Sequence, residues 1–239
     1  GEDELAIYVK IGNRSLPPVI IDTHLDHPGF VVGTDNFVHS LGSFINPKMI
    51  NQISFSEKIP VEFYTSKGMP LTKGYIFDNK TENNQIKSRY FAENFLQLPV
   101  NTQVFPTINT GKKGDYFHLR AADNMATVSV CLSLIELLSD STDCNITFIF
   151  TKLEEIYQLS ATGIANRGRT PFENILSHTP ILVLEVAPVL TKAQSDNGDL
   201  AIASSENIFQ TLNPNSTLLK SIKTICQSEK TNLHFVSIY

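Results

Sequence analysis

The sequence predicts an α/β fold, a mixed sheet flanked by helices, with a small β-barrel-like domain inserted into it. Two observations carry this. In the first few tens of residues and in the second half of the 239-residue chain, short apolar runs alternate with stretches of helical periodicity, as strands and helices do in an α/β sheet. Between about Gly42 and Lys113 the helical pattern is missing. Short strand-like runs stand there instead, separated by glycine, proline and asparagine. The expected boundaries are therefore 1–41 and 115–239 for the α/β domain and 42–114 for the insertion.

The elements follow in order. Leu5 to Val9 is a strand, and Pro18 to Thr23 (PVIIDT) is a buried one, because its apolar run is continuous. In the insertion, QISFS, IPVEFYT, GYIFDN and YFAENFLQLP are strand candidates. Phe55, Val61, Phe63, Tyr75, Ile76 and Phe77 are expected to form its core. Asn124 to Leu138 carries Val128, Cys131, Leu132, Ile135 and Leu138 at spacings of three and four, the mark of a helix with one buried face. Strands are expected at 146–151, 181–186, 200–205 and 233–239. A second helix, Asn215 to Cys226, follows Pro214 and presents Leu218, Leu219, Ile222 and Ile225. The chain starts and stops almost inside strands, which reads as a fragment at both ends.

Composition narrows the partners. The net charge is -5 and no basic stretch is long enough to follow a phosphate backbone, so nucleic acid is not expected. No apolar run approaches the roughly 20 residues that span a bilayer, so no membrane partner is expected. Three cysteines, Cys131, Cys144 and Cys226, are too few and too odd for a disulfide framework. They fit a reducing compartment, and the expected location is the cytoplasm.

Four acidic motifs end predicted strands: His24-Leu25-Asp26, Asp123-Asn124, Glu154-Glu155 and Glu185. Ligands of open α/β sheets bind outside the carboxyl ends of strands. One imidazole with several carboxylates suits a divalent transition metal, zinc above all. Each motif also has a plainer reading. His24 and Asp26 can serve as strand-end caps, although alternation puts both on one face, where one can orient a neighbouring group. Asp123 can cap the helix that follows it. Glu154 and Glu155 can sit in a solvated loop, or one can bind metal while the other acts as general base. Glu185 follows so apolar a strand that it is expected to be held at a site. His27 should face away, His118 is expected on a half-buried strand, and His39, His178 and His234 have no ligand-like neighbours in sequence. Nucleophile-elbow and phosphate-loop signatures are absent.

Taken in order, these residues resemble the glutamyl and tetrahedral aminopeptidases, a family of co-catalytic zinc metallopeptidases that includes relatives once called endoglucanases. The resemblance rests on His24-Leu25-Asp26 followed by Pro28-Gly29-Phe30-Val31-Val32, on Ala122-Asp123-Asn124, and on Thr151-Lys152-Leu153-Glu154-Glu155, with a β-rich insertion between the first two. It implies that His24, Asp123 and Glu185 hold one metal. Asp123 would bridge to a second metal that Glu155 also binds, Asp26 would orient His24, and Glu154 would be the general base. It implies two zinc ions, with cobalt or manganese as substitutes, and homo-oligomers built through the β insertion. This chain has Glu185 where the family has Asp and Met125 where it commonly has Arg, and the family's C-terminal His ligand would lie beyond Tyr239. The implied reaction is removal of the N-terminal residue of a peptide through a metal-activated water. A non-catalytic binding or assembly module, and a deacylase or carboxypeptidase on the same scaffold, stand beside it.

Overall fold

The computed structural model describes residues 6–41, 58–82, 85–107, 110–114, 116–118, 121–157, 179, 181–184, 186, 200–207, 210–211, 217–230 and 233–237. The chain forms two compact units, Gly1–Glu185 and Val186–Tyr239. In the first, the strands are β1 (Ala6–Gly12), β2 (Val19–His24), β3 (Gly29–Val32), β4 (Val38–Leu41), β5 (Ile59–Tyr64), β6 (Pro70–Glu82), β7 (Gln85–Ala92), β8 (Gln103–Pro106), β9 (Gly111–Lys113), β10 (Tyr116–His118), β11 (Asn145–Thr151) and β12 (Ile181–Val183). Its helices are α1 (Ala122–Leu138) and the single turn α2 (Glu154–Tyr157).

A four-stranded mixed sheet has the order β1-β11-β2-β12. β2 lies between two parallel neighbours, β11 and β12, while β1 runs antiparallel on the outer side of β11. A central strand is covered on both faces, so its sequence must be apolar on both, and VIIDTH is buried from Ile20 through His24. One face packs Ile20 and Ile149 with Ala6. The other packs Ile21, Phe148 and Phe150 against Val128 and Cys131 of α1. The helical stripe runs through Val128, Cys131 and Ile135, and Leu132 falls to its side and is exposed. β1 ends at Gly12, whose φ is +85 and where a Cβ would lie 2.0 Å from the Cys144 carbonyl oxygen. Glycine is needed there on both counts.

Six antiparallel strands close a barrel in the order β3-β4-β7-β6-β5-β8. Closure comes from β3 pairing with β8, Phe30 opposite Val104. The barrel thus takes its first two strands from before residue 42, and it is filled by side chains. Val61, Phe63 and Ile76 lie in its core with Val32, Val38 and Val104. Each such side chain contributes about 1.5–3 kcal/mol on burial. Tyr75 and Phe77 alternate to the outside, and Tyr75 stacks on the cross-strand Phe91 at 5.0 Å. Phe55 lies outside the described residues.

The second unit has β13 (Leu200–Asn207), β14 (Gln210–Thr211), helix α3 (Thr217–Ser228) and β15 (Leu233–Ser237), with sheet order β14-β13-β15. β13 and β15 are parallel, and α3 is the crossover that parallel pairing requires. α3 buries Leu219 and Cys226 and exposes Ile225. No helix among the described residues is long and apolar enough to cross a membrane.

Candidate metal centre

Parallel pairing of β2 with β11 and β12 puts three strand ends at one edge of the sheet. His24 pairs with Thr151, and just beyond, the Leu25 amide donates to the Thr151 carbonyl. β12 ends opposite Asp22, and the Leu184 amide donates to the Asp22 carbonyl. α1 begins at the same edge. Asp123 and Asn124 have non-helical backbone, and no side chain caps the helix start, so Asp123 does not act as a cap.

Its carboxylate faces His24 instead, with Oδ1 3.2 Å from Nε2. His24 is 3% exposed and Asp123 53%, so the pair is open on the aspartate side only. Nδ1 of His24 lies 2.8 Å from the Asp26 main-chain carbonyl. A carbonyl only accepts, so Nδ1 carries the hydrogen and Nε2 presents its lone pair. A lone pair facing a carboxylate oxygen needs a positive charge between or on the two groups, a proton or a metal ion.

Asp26 does more than the orienting role that the resemblance implies. Its backbone carbonyl takes the imidazole hydrogen, and its carboxylate Oδ1 lies 3.8 Å from the same Nδ1. Oδ1 and Oδ2 accept the amides of Glu154 and Glu155 at 3.1 and 3.0 Å, so the carboxylate fixes the start of α2. α2 in turn carries both glutamates. His24, Glu154 and Glu155 each offer a ligand atom within 4.8 Å of the other two. Burial and the neighbouring Glu154 push the Glu155 carboxyl up to about 7; His24 opposes the rise, while Asp123 and Asp26 add to it. A set of one imidazole nitrogen and several carboxylates, of which Glu155 is partly desolvated, fits a divalent ion of the zinc type.

The structure therefore brings His24, Asp26, Asp123, Glu154 and Glu155 to one edge. Glu185 lies outside the described residues. His27 turns away, with Nδ1 against the Pro28 carbonyl and its ring edge-on to Phe105 of the barrel. His39 does have a carboxylate neighbour. Its Nε2 lies 2.8 Å from Asp35 on the barrel, and Lys87 reaches the same carboxylate at 2.9 Å. Those two partners hold the Asp35 carboxyl well below the usual range. The side chains of His118 and His234, and the whole of His178, lie outside the described residues. Sequence reasoning passed over Thr23 and Thr127, whose hydroxyls meet at 2.6 Å under the site. Nothing in their local sequence marks them.

No protein-family model matches the chain, and no curated protein matches it. Solved structures do resemble it. The aminopeptidase APDkam598 of the archaeon Desulfurococcus kamchatkensis superposes with a TM-score of 0.68 at 15% identity, over 99% of this chain and 71% of that one. PhTET1-12s, a dodecamer in its asymmetric unit, gives 0.67 at 15% identity over 97% and 71%. The TET aminopeptidase of a marine sediment archaeon of the Thaumarchaeota gives 0.65 at 15% over 98% and 71%. At that identity the likeness shows the fold, which this chain shares with archaeal aminopeptidases.

Proposed function

We propose that this chain is the catalytic part of a metal-dependent aminopeptidase of the glutamyl and tetrahedral type. The observation that supports it best is the convergence of His24, Glu154 and Glu155 within 4.8 Å, with Asp123 Oδ1 3.2 Å from the imidazole Nε2. His24 Nε2, Asp123, Glu155 and Glu185 would hold zinc, with cobalt or manganese able to replace it. When bound, the metal supplies Lewis acidity to the scissile carbonyl and to the attacking water.

The rest falls to the chain's own side chains. Glu154 stands beside the proposed ligand Glu155 on the same helical turn, and it takes the proton of the attacking water and returns it to the departing amine. The Asp26 carbonyl keeps the His24 hydrogen on Nδ1, so that Nε2 stays available. The Asp26 carboxylate keeps both glutamates at the edge of the sheet. A cluster so rich in carboxylates also suits the positively charged amino terminus of a peptide. As part of this proposal the chain works in the cytoplasm, consistent with its three free cysteines, and assembles with copies of itself through the barrel.

The test is a paired one, made on the zinc- or cobalt-loaded full-length protein with aminoacyl anilides and with the same peptides blocked at the amine. Hydrolysis confined to free-amine substrates is expected. Glu154→Gln should lower kcat by about 10²–10⁴-fold while zinc still binds, and Glu155→Gln should weaken zinc binding itself. Equal turnover of blocked peptides would favour a deacylase-type reaction, and unchanged turnover in Glu154→Gln would remove Glu154 as the base.

A further inference from the structure

Beside the acidic cluster lies a set of buried or half-buried neutral polar groups that the proposed hydrolysis does not use. Asn124 is 1% exposed. Its Nδ2 donates to the Leu184 carbonyl at 2.8 Å, at the exit of β12 and 60 residues away in sequence. The Thr127 hydroxyl lies 2.8 Å from the Asn124 carbonyl and also meets Asn124 Oδ1. The same hydroxyl meets that of Thr23 at 2.6 Å, across 104 residues. Thr23 is itself buried, next to the end of β2.

Two features of this network are informative. Its long-range bonds join three separate segments: the end of β2, the start of α1 and the exit of β12. A helix start alone needs neither of them, since the Thr127 bond to the Asn124 carbonyl would serve it locally. Moreover, each joined segment is joined one residue from a proposed ligand. Thr23 precedes His24, Asn124 follows Asp123, and Leu184 precedes Glu185. Buried polar groups tied by directional bonds hold their segments in one register, where apolar packing would tolerate sliding. A network without charge does so without adding to the field of the site.

We infer that Asn124 and Thr127 are positioning residues. Through Thr23 and Leu184 they fix the spacing of the strand ends that bear the proposed metal ligands. The inference rests on the metal-centre reading given above. Supporting partners of this kind typically change metal affinity by about 10–100-fold when removed.

The experiment uses the whole chain, freed of metal with a chelator and titrated calorimetrically with zinc. Thr127→Val keeps the shape and removes the hydroxyl, while Thr127→Ser keeps the hydroxyl. Zinc affinity should fall by about 10–100-fold in Thr127→Val and in Asn124→Ala, and recover in Thr127→Ser. A folded Thr127→Val that binds zinc as the unaltered chain does would overturn the inference. A second readout needs no metal. Amide exchange in Thr127→Val should accelerate at Met125 and Leu184, whose amides donate to Ala121 and Asp22, and stay unchanged at Val32 in the barrel, which donates to Thr102. Uniform acceleration, or none, would reduce Thr127 to an ordinary contributor to stability. If the unaltered chain took up no zinc, the metal reading would fail, and the exchange pattern alone would support or overturn the strut.

Discussion

Asp26 offers a separation of two roles, because its backbone takes the imidazole hydrogen while its carboxylate, 3.8 Å from the same Nδ1, makes its hydrogen bonds to two amides. The carbonyl takes the His24 Nδ1 hydrogen and survives any substitution. The carboxylate takes the amides of Glu154 and Glu155 at 3.1 and 3.0 Å. Hydrogen bonds to a charged group contribute about 1.5–3 kcal/mol each. The Asp26 side chain is only 14% exposed, so water replaces it poorly. Asn at this position keeps one acceptor and turns an NH₂ donor toward the other amide. Asp26→Asn should therefore cost about one such bond, 1.5–3 kcal/mol. For a chain of this size about 2–4 °C of Tm follows each kcal/mol, which gives a fall of about 3–12 °C. Asp26→Ala should cost more. Both should weaken zinc binding, because α2 carries two of the acids. Thermal unfolding with chelator and with zinc measures the first effect, and amide and imidazole ¹⁵N shifts locate it. The shifts of Glu154 and Glu155 should move while the His24 tautomer stays. The reverse pattern, a changed His24 tautomer over unmoved glutamate amides, would show that the carboxylate acts through the imidazole and would refute this account.

Three further outcomes are expected. Glu155 is held protonated to about pH 7, above its ordinary 4.5; a raised folded-state value stabilises the metal-free chain below about pH 4.5 and loses that contribution as pH rises through 7. Denaturant midpoints of the chelated chain should fall across that window and flatten in Glu155→Gln, and zinc affinity should rise about tenfold from pH 6 to pH 8 as the competing proton leaves. In the barrel, Phe63 is fully buried beside Tyr90, and Phe63→Ala should cost about 3–5 kcal/mol in a denaturant titration; a loss under about 1 kcal/mol would mean that the barrel interior is not packed as described.

The parts of the fold that were legible in sequence are those whose signal is local. β2 and β11 announce themselves as continuous apolar runs because both faces of a central strand are covered. The barrel is harder. Its closing contact pairs Phe30 with Val104, and no local pattern reports so distant a partner. Gly29 to Val32 therefore reads as part of the α/β half, although it is a barrel strand. In GYIFDN three consecutive bulky residues offer no polar phase, so the sequence cannot say that Ile76 points in and Tyr75 and Phe77 point out. The acids of the site were visible because carboxylates are costly at strand ends. Their supports were not visible, because threonine and asparagine are ordinary residues whose importance lies in partners 60 and 104 positions away.

The charge arrangement itself argues for a cation. Of the four carboxylates at the edge, Asp26 is already engaged by two amides. Asp123 leans on the one imidazole whose other nitrogen is occupied. Glu154 and Glu155 are neighbours on a single turn and repel each other, which is part of why Glu155 holds its proton. A fold selected only for stability would avoid this, since desolvated like charges lower the stability of the folded state. Replacing one acid with an apolar residue would relieve it at once. A proton on Glu155 relieves the repulsion only up to about pH 7, and at higher pH a bound positive charge would relieve it instead. An ion that binds only the folded chain adds stability by mass action, about 2.7 kcal/mol at a hundred times its Kd. Electrostatic strain at the metal-free site and affinity for a divalent ion are then one property, which is why Glu155, the acid whose burial and like-charged neighbours raise it most, is among those proposed to hold the metal.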